Sequence, residues 1–300
     1  MINSFKKAVK LFKKSNHVIN NFERTISFIS RSNELNSLAL NSEKSCVEKL
    51  APGEDELIVS FTTYNTRIYD VHLVVESIAQ QTIRPNRLIL WLDEDEFTLE
   101  SIPLILKNQM ERGLEIRFCP NYRSYKKLIP TLKIFPDANI ITIDDDIFYP
   151  YDMIELLVKE NKLYPDYIIS HRAHKMHYDS LNQISKYHEW EIETSDSEPS
   201  LLIFPVGVGG IFYPKGALDS RCLDVKVFMD IAPSADDVWF KAISLSNKIK
   251  CKKVKDDRSF WDRFLVIEGS QEGGLYQTNI TENDWQIEKT FKYFDLTGTK

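Results

Sequence analysis

The chain has 300 residues, of which 43% are hydrophobic and 12% are aromatic. This composition predicts a packed globular protein and excludes an intrinsically disordered one. The formal net charge of -6 argues against a general nucleic-acid-binding protein, which would present a basic surface. The four cysteines form no CxxC pair, which excludes a zinc knuckle or a dithiol redox motif and predicts reduced thiols.

Residues 1–50 form a basic leader, with nine Lys or Arg against four Glu, whereas the rest of the chain is acidic. Phe5, Ala8, Val9 and Phe12 recur at helical spacing with lysines between them. This pattern predicts a helix that lies on an anionic membrane surface. A short helix packed on the body, or a frayed basic terminus, explains the same pattern.

The leader lacks the apolar segment of a signal peptide. The longest apolar stretch, LLIFPVGVGGIFYP, is broken by Pro and Gly and is shorter than the ~20 residues that span a bilayer. We therefore expect a cytoplasmic protein with no transmembrane helix.

Strands and helices are predicted to alternate from residue 57 onward. Hydrophobic periodicity predicts strands at 57–64, 87–92, 114–119 and 139–143, and helices at 70–81, 98–112 and 124–135. This alternation implies a mostly parallel sheet with helices on both faces. The pattern is less regular afterwards: it predicts a strand at 167–171, a loop at 172–200, a glycine-containing strand or turn at 204–214 and a helix beginning near residue 236.

The stretch NIITIDDDIFYP ends a β-branched strand on three adjacent acids. Because side chains alternate along a strand, Asp144 and Asp146 are expected to point to one side and Asp145 to the other. Two carboxylates on one side can hold Mg²⁺ or Mn²⁺, which in turn binds phosphates. A solvated acidic turn is the alternative. The site is favoured because the polar segments TTYNTR and LDEDE follow two other strands at the same sheet edge, where α/β proteins bind ligands.

Five segments together resemble a GT-A glycosyltransferase: LIVSFTTYNTR, SIAQQTIRPNRLILWL, DDD, FPVGVGGIFYP and ADDVWF. The pattern is most similar to family 2-like bacterial enzymes of surface polysaccharide biosynthesis, such as capsule and lipopolysaccharide. The resemblance covers residues 57–283 and implies a Rossmann-like α/β fold. The Q/RxxRW segment of many family 2 enzymes is not found, which argues against processive synthesis and leaves the stereochemistry of the reaction open.

The resemblance also implies a domain organisation. Residues 1–50 would be a basic helical leader with its linker, and residues 51–300 a GT-A domain. Within that domain, residues 57–150 would form the nucleotide-sugar half and residues 151–290 the acceptor half.

The resemblance assigns the DXD motif to Asp144 and Asp146, which would hold Mn²⁺ or Mg²⁺ against the donor diphosphate. Asp145 would lie nearer the donor ribose or sugar. A metal ion there would neutralise charge as the nucleoside diphosphate leaves.

Nucleotide contacts are expected from the ends of the first two strands. Thr63, Tyr64 and Arg67 would frame the nucleotide, with Tyr64 stacked on the base and Arg67 paired with a phosphate. Asp93 would accept a hydrogen bond from the base. For Arg67 and Asp93, an ordinary surface charge is an equally good interpretation.

Further donor contacts are expected from Lys127, which can reach a phosphate, and from Gly209 and Gly210, where backbone can approach a sugar closely. A solvated helical lysine and a structural bulge are the respective alternatives. Asp236 and Asp237 fall in the predicted first turn of a helix. We expect Asp236 to cap that helix and Asp237 to act as the catalytic base.

The expected function is therefore metal-dependent, inverting transfer of a sugar from a nucleotide-sugar donor, by default a UDP-sugar. The acceptor would be a hydroxyl of a saccharide or of a lipid-linked saccharide. The enzyme would work in the cytoplasm, at the inner face of the cytoplasmic membrane if the leader binds lipid. A metal-dependent phosphoesterase and a noncatalytic carbohydrate-binding module are the alternatives.

Overall fold

A computed structural model of the protein describes residues 2–180, 183–267 and 275–296. Its strands are β1 (Leu57–Thr62), β2 (Arg87–Asp93), β3 (Leu114–Cys119), β4 (Asn139–Thr142), β5 (Ile147–Phe148), β6 (Ile168–Ser170), β7 (Ala173–Lys175), β8 (Ile203–Pro205), β9 (Ile211–Tyr213), β10 (Cys251–Lys253) and β11 (Leu265–Val266). Its helices are α1 (Ile2–Asn41), α2 (Val71–Ala79), α3 (Leu104–Glu111), α4 (Ile129–Ile134), α5 (Met153–Leu163), α6 (Val225–Ile231), α7 (Asp236–Ser246), α8 (Phe260–Arg263) and α9 (Leu275–Tyr293).

The central sheet has seven strands in the order β10–β6–β9–β4–β1–β2–β3. Strand β9 runs antiparallel to both of its neighbours, and the other pairs are parallel. The predicted α/β architecture with a mostly parallel sheet flanked by helices is therefore confirmed. The arrangement is compatible with a Rossmann-like fold.

Alternate strand residues enter two separate cores, because successive side chains of a strand point to opposite faces. On β2, Leu88 and Leu90 join a core with the inner face of α2. Ile89 and Trp91 join a second core, with Trp239 of α7. The sheet is thus covered on both faces, which explains its nearly continuous apolar strands.

Two prolines account for differences from the predicted helices. Helix α3 begins at Leu104 rather than at residue 98, directly after Pro103, since the residue before a proline is pushed out of helical geometry. Pro130 lies in the first turn of α4, where its missing N–H costs nothing. It therefore starts a helix after a 3₁₀ turn at Arg123–Lys127, instead of interrupting one longer helix.

Helix α1 is much longer than a terminal turn, and its last part packs on the body. Leu35 and Ala39 are buried, and the Phe28 ring stacks on Phe148 with centroids 5.3 Å apart. In the predicted linker, Cys46 is buried in the same core. The end of the leader is therefore built into the body. None of the helices in the described part of the chain is long and apolar enough to cross a membrane.

The region predicted as a loop at 172–200 contains β7, which pairs with β8. Its Trp190 and Met176 are buried with Phe204 in a third, smaller core. All four cysteines are free and buried.

Candidate functional site

Segments from both halves of the chain meet at one edge of the sheet. Strands β1, β2 and β4 end there: Thr63 follows β1, Asp93 is the last residue of β2, and Asp144 lies two residues after β4. Because β9 is antiparallel, it begins at this edge, where Ile211 pairs with Thr142. The glycine turn before β9 therefore lies beside the acidic triplet.

Asp145 is the buried member of the triplet, with 7% of its surface exposed. It accepts hydrogen bonds of 2.6 Å from Thr63 Oγ1 and from Arg67 Nη1. Burial raises the pKa of Asp145, while Arg67 and the Thr63 hydroxyl oppose that rise. Asp145 therefore ties the end of β1 to the end of β4, and its position next to a donor sugar stays a prediction.

The expected alternation within the triplet is wrong in one respect. Strand β4 ends at Thr142, so the three acids follow the strand instead of continuing its pleat. Arg67 Nη1 lies 2.6 Å from Asp145 and also 3.3 Å from Asp146. Asp144 is directed elsewhere, because its Oδ1 lies 3.2 Å from Lys127 Nζ.

A buried tyrosine fixes the backbone of the triplet. The Asp144 N–H donates a 2.8 Å hydrogen bond to Tyr149 Oη, and the Tyr149 hydroxyl donates to the Asp144 carbonyl at 3.3 Å. Tyr149 is fully buried, which raises its pKa. Tyr149 was not among the predicted site residues, although its place three residues after the triplet in an apolar segment is a usable signal.

Lys127 connects the two acidic segments. Its Nζ lies 3.2 Å from Asp144 Oδ1 and 3.0 Å from Asp236 Oδ2. Burial alone would lower the pKa of Lys127, but the carboxylates of Asp144, Asp236 and Asp237 raise it well above its usual value. This lysine stays charged and holds the first turn of α7 against the end of β4, so the alternative of a solvated lysine is wrong.

Asp237 has a different environment. Its Oδ2 accepts a 3.0 Å hydrogen bond from the Gly207 N–H, and its buried Oδ1 has no hydrogen-bond partner within the described ranges. Burial and the neighbouring Asp236 raise the pKa of Asp237 to about 7, although Lys127 opposes the rise. A carboxylate with a pKa near neutrality is well matched to proton transfer at neutral pH.

The expected cap at α7 is not observed. Ala235 is the N-cap residue, and no side chain caps the first turn. Asp236 is paired with Lys127 instead. Asp236 is therefore held by an ion pair with a distant segment. Local capping preferences do not reveal such a pair.

The glycine nearest to the acids is Gly207. A Cβ atom built there would lie 3.0 Å from Lys127 Nζ, 3.5 Å from Asp237 Oδ1 and 3.7 Å from Asp144 Oδ1. Because Gly207 has no side chain, the space between Asp144, the predicted metal ligand, and Asp237, the predicted base, stays open. Gly207 belongs to the segment GVGG expected near a sugar, but Gly209 and Gly210 were chosen as its contacts, because the sequence does not indicate which of these glycines faces the acids.

Gly209 and Gly210 face other neighbours. Both have positive φ values, of 100° and 98°, which favour glycine. A Cβ at Gly209 would clash with Phe260, and one at Gly210 would meet Met153 and Ile143. These contacts support the alternative of a structural bend, while a sugar contact by their backbone stays a prediction.

The remaining nucleotide candidates lie along the same edge. The Arg67 guanidinium lies 4.9 Å from the centroid of the Tyr64 ring, and Tyr64 is partly exposed. Asp93 is buried, with Lys126 Nζ 3.8 Å from its carboxylate, and it accepts a 3.0 Å hydrogen bond from the Asp95 N–H. The alternative of an ordinary surface charge is therefore wrong for Asp93 and also for Arg67, which is mostly buried.

Within the ranges that the structure describes, no three His, Cys, Asp or Glu side chains are grouped as a metal site. Asp144 and Asp146 nevertheless supply hard oxygen ligands at a partly exposed edge. Two carboxylates are the number that Mg²⁺ takes when substrate phosphates and water complete its coordination. In this structure Asp144 pairs with Lys127 and Asp146 lies beside Arg67, so a divalent cation held by these two residues stays a prediction.

No protein-family model matches this chain, and no curated protein sequence matches it significantly.

Proposed function

We propose that the protein is a metal-dependent glycosyltransferase that moves a sugar from a nucleotide-sugar donor, by default a UDP-sugar, to a hydroxyl of a saccharide or lipid-linked acceptor. The fold and the site support this proposal, and the GT-A resemblance in the sequence motivates it. The reaction inverts the configuration at the anomeric carbon of the donor sugar.

One observation carries the proposal: Lys127 lies within 3.2 Å of Asp144 and 3.0 Å of Asp236. The acids proposed for metal binding and those proposed for proton transfer are more than 90 positions apart in the sequence, yet they meet around one cation and one glycine. An inverting transfer needs this proximity, because the base must lie within hydrogen-bond reach of the acceptor hydroxyl, which attacks the donor carbon from the side opposite the leaving diphosphate.

Donor binding is assigned to the Arg67 side of the site. Asp144 and Asp146 would hold Mn²⁺ or Mg²⁺ with the donor diphosphate, and the ion would neutralise charge on the leaving group. Tyr64 is exposed enough to stack on a base. Arg67 forms ion pairs with Asp145 and Asp146 and so holds these two carboxylates in place. It also adds positive charge beside the phosphates.

Proton transfer is assigned to Asp237. Among the described residues, its buried Oδ1 has no hydrogen-bond partner. Such an atom is costly unless a donor reaches it, and an acceptor hydroxyl would satisfy it. The Gly207 N–H fixes the other oxygen, so the carboxylate is held in one orientation. With a pKa of about 7, Asp237 can accept the hydroxyl proton as the glycosidic bond forms.

The test is an assay with a panel of nucleotide sugars and Mn²⁺ that measures release of nucleoside diphosphate. We expect release with one donor class, and we expect Asp146→Ala to abolish it with the fold preserved, because a partly exposed carboxylate is removed without opening a core cavity. The control variant is Asp95→Ala, which removes an exposed acid at the same edge. Calorimetry of Mn²⁺ with UDP should show that Asp146→Ala loses metal-dependent nucleotide binding and that Asp95→Ala keeps it.

Other outcomes would contradict the proposal. Metal-dependent release of inorganic phosphate from phosphate esters, without any use of nucleotide sugars, would indicate a phosphoesterase. Saccharide binding without turnover of any donor would indicate a carbohydrate-binding module. Full activity of Asp146→Ala at saturating Mn²⁺ would remove the metal role of that residue.

A further inference from the structure

The outward face of α1 carries an apolar strip that remains largely exposed. Phe22, Ile26 and Ile29 are 65%, 51% and 52% exposed. Their spacing of four and three residues places them on one side of the helix. The buried residues Leu35 and Ala39 face a different direction by the same helical periodicity.

The sequence continues the strip toward the N-terminus. Upstream of Phe22, apolar residues recur at intervals of three, four and seven: Ile19, Phe12, Ala8 and Phe5. Helix α1 is continuous from Ile2 to Asn41, a length of about 60 Å at 1.5 Å per residue. Five lysines lie between residues 6 and 14, and the first acid in the chain is Glu23.

We propose that α1 is an interfacial helix that docks this protein on an anionic lipid surface. An apolar strip of Phe and Ile on a lysine-rich helix is the combination that lies in the plane of a bilayer surface. The apolar side chains enter the boundary between headgroups and acyl chains, and each lysine near the surface gains attraction to anionic headgroups. Lipid binding goes beyond the proposed sugar transfer and does not depend on it.

A lipid surface explains the pattern better than a second copy of the helix. In a helix pair the apolar seam occupies two positions in every seven, and the sequence has further apolar residues outside such a repeat, Leu11 and Val18. Five lysines without a nearby acid offer a second copy no opposite charge. The charge of this segment is instead complementary to a surface of anionic headgroups.

The packed part of α1 links the strip to the candidate site. Arg24 Nη2 donates a 3.0 Å hydrogen bond to the Trp261 carbonyl. A few residues later, the Ile267 N–H donates to the Asp146 carbonyl at 2.8 Å. Docking of α1 would therefore hold the acidic edge near the lipid surface, where a lipid-linked substrate can reach it.

The experiment measures co-sedimentation of the full chain with vesicles of phosphatidylcholine alone and of phosphatidylcholine mixed with phosphatidylglycerol. We expect binding to the mixed vesicles only, weakened by added salt. The variant Phe22→Gln/Ile26→Gln/Ile29→Gln should bind about 100-fold more weakly, because glutamine keeps the helix but removes the apolar strip. Replacement of Lys6, Lys7, Lys10, Lys13 and Lys14 by glutamine should weaken binding about 100-fold or more and remove its salt dependence.

The matched control is Leu99→Gln/Leu104→Gln/Leu163→Gln, which removes three equally exposed apolar side chains from the body and should bind as the parent does. Circular dichroism checks that every variant keeps its helix content. Binding that is equal for the strip variant and the parent, or a parent that binds no anionic vesicles, would overturn the proposal. A dimer in sedimentation equilibrium that the strip variant abolishes, without vesicle binding, would assign the strip to a second copy instead.

Discussion

Asp145 and Asp237 lie at the same edge of the sheet, and burial raises the pKa of both, but they are held in different ways. Asp145 accepts hydrogen bonds from a hydroxyl and a guanidinium, whereas Asp237 accepts one from a backbone N–H and has a buried oxygen without a partner in the described structure. A carboxylate with two strong donors contributes to structure, because its charge is compensated. A carboxylate with an open oxygen and a pKa near 7 is available for proton transfer.

The largest expected effect is on turnover by Asp237→Asn. Asparagine keeps the size of the side chain and can still accept the Gly207 N–H, but it cannot take a proton. Once the donor sugar is identified, we expect turnover to fall by roughly 10²–10⁴-fold with donor binding retained. Steady-state kinetics and nucleotide titration measure the two quantities. Turnover within a few-fold of the parent, or a product that retains the donor's anomeric configuration, would show that Asp237 is not the base.

The second-largest expected effect is a loss of stability when Asp145 loses its partner. Arg67→Met leaves the buried Asp145 without its charged partner, and we expect a loss of about 3 kcal/mol in the free energy of unfolding. This value is at the lower end of the range for a broken buried pair, because Arg67 is 15% exposed. Arg87→Met is the control, because Arg87 is an exposed arginine that pairs with Glu56 and Glu115. Surface pairs contribute about 0–1 kcal/mol. Equal losses in urea titrations of the two variants would contradict the structural role of Asp145.

The pH dependence of stability tests the environment of Asp237. A pKa of Asp237 raised from 3.8 to about 7 means that the folded state binds this proton more tightly than the unfolded state does. Its contribution to stability is therefore fully present below pH 3.8 and is lost as the pH rises through about 7. We expect the difference in unfolding free energy between Asp237→Asn and the parent to shift in favour of the variant over that window. A difference that stays constant with pH would mean that Asp237 has an ordinary pKa.

The sequence was sufficient to place the acids at the sheet edge, because strand periodicity is local. Leu57–Thr62 and Arg87–Asp93 are observed close to their predicted bounds. The acids that follow β4 could therefore be placed at the carboxyl edge of the sheet without any knowledge of tertiary contacts. The first turn of α7 was predicted for the same reason, since Asp236 and Asp237 precede an apolar helical run.

The partners of those acids could not be predicted, because they are set by packing between distant segments. Lys127 looks like a surface lysine from its neighbours in the sequence, and only the approach of α7 to β4 gives it two carboxylates. Positive φ at Gly209 and Gly210 explains why glycine occurs there. It does not reveal that Gly207, with backbone angles open to any residue, is the one that borders the acids.

The smallest expected change in stability comes from Gly207→Ala, which tests whether the space beside Asp237 matters for the reaction. The new methyl group would press on the flexible tip of Lys127 at 3.0 Å, so the fold can adjust and we expect the free energy of unfolding to change by less than about 1 kcal/mol. Turnover should nevertheless fall by about tenfold, because small displacements of reacting groups are costly. The control is Gly216→Ala, at a positive φ of 78° with nothing within 4 Å.

That control should lose about 1 kcal/mol through backbone strain and keep full turnover, since Gly216 lies in an open turn. The two substitutions are thus expected to give opposite patterns in denaturant titrations and in kinetic assays. If Gly207→Ala loses stability and keeps turnover, the space between Asp144, Lys127 and Asp237 serves only packing. Asp237 would then be a buried acid of the fold, like Asp145, and the contrast between the two would not reflect catalysis.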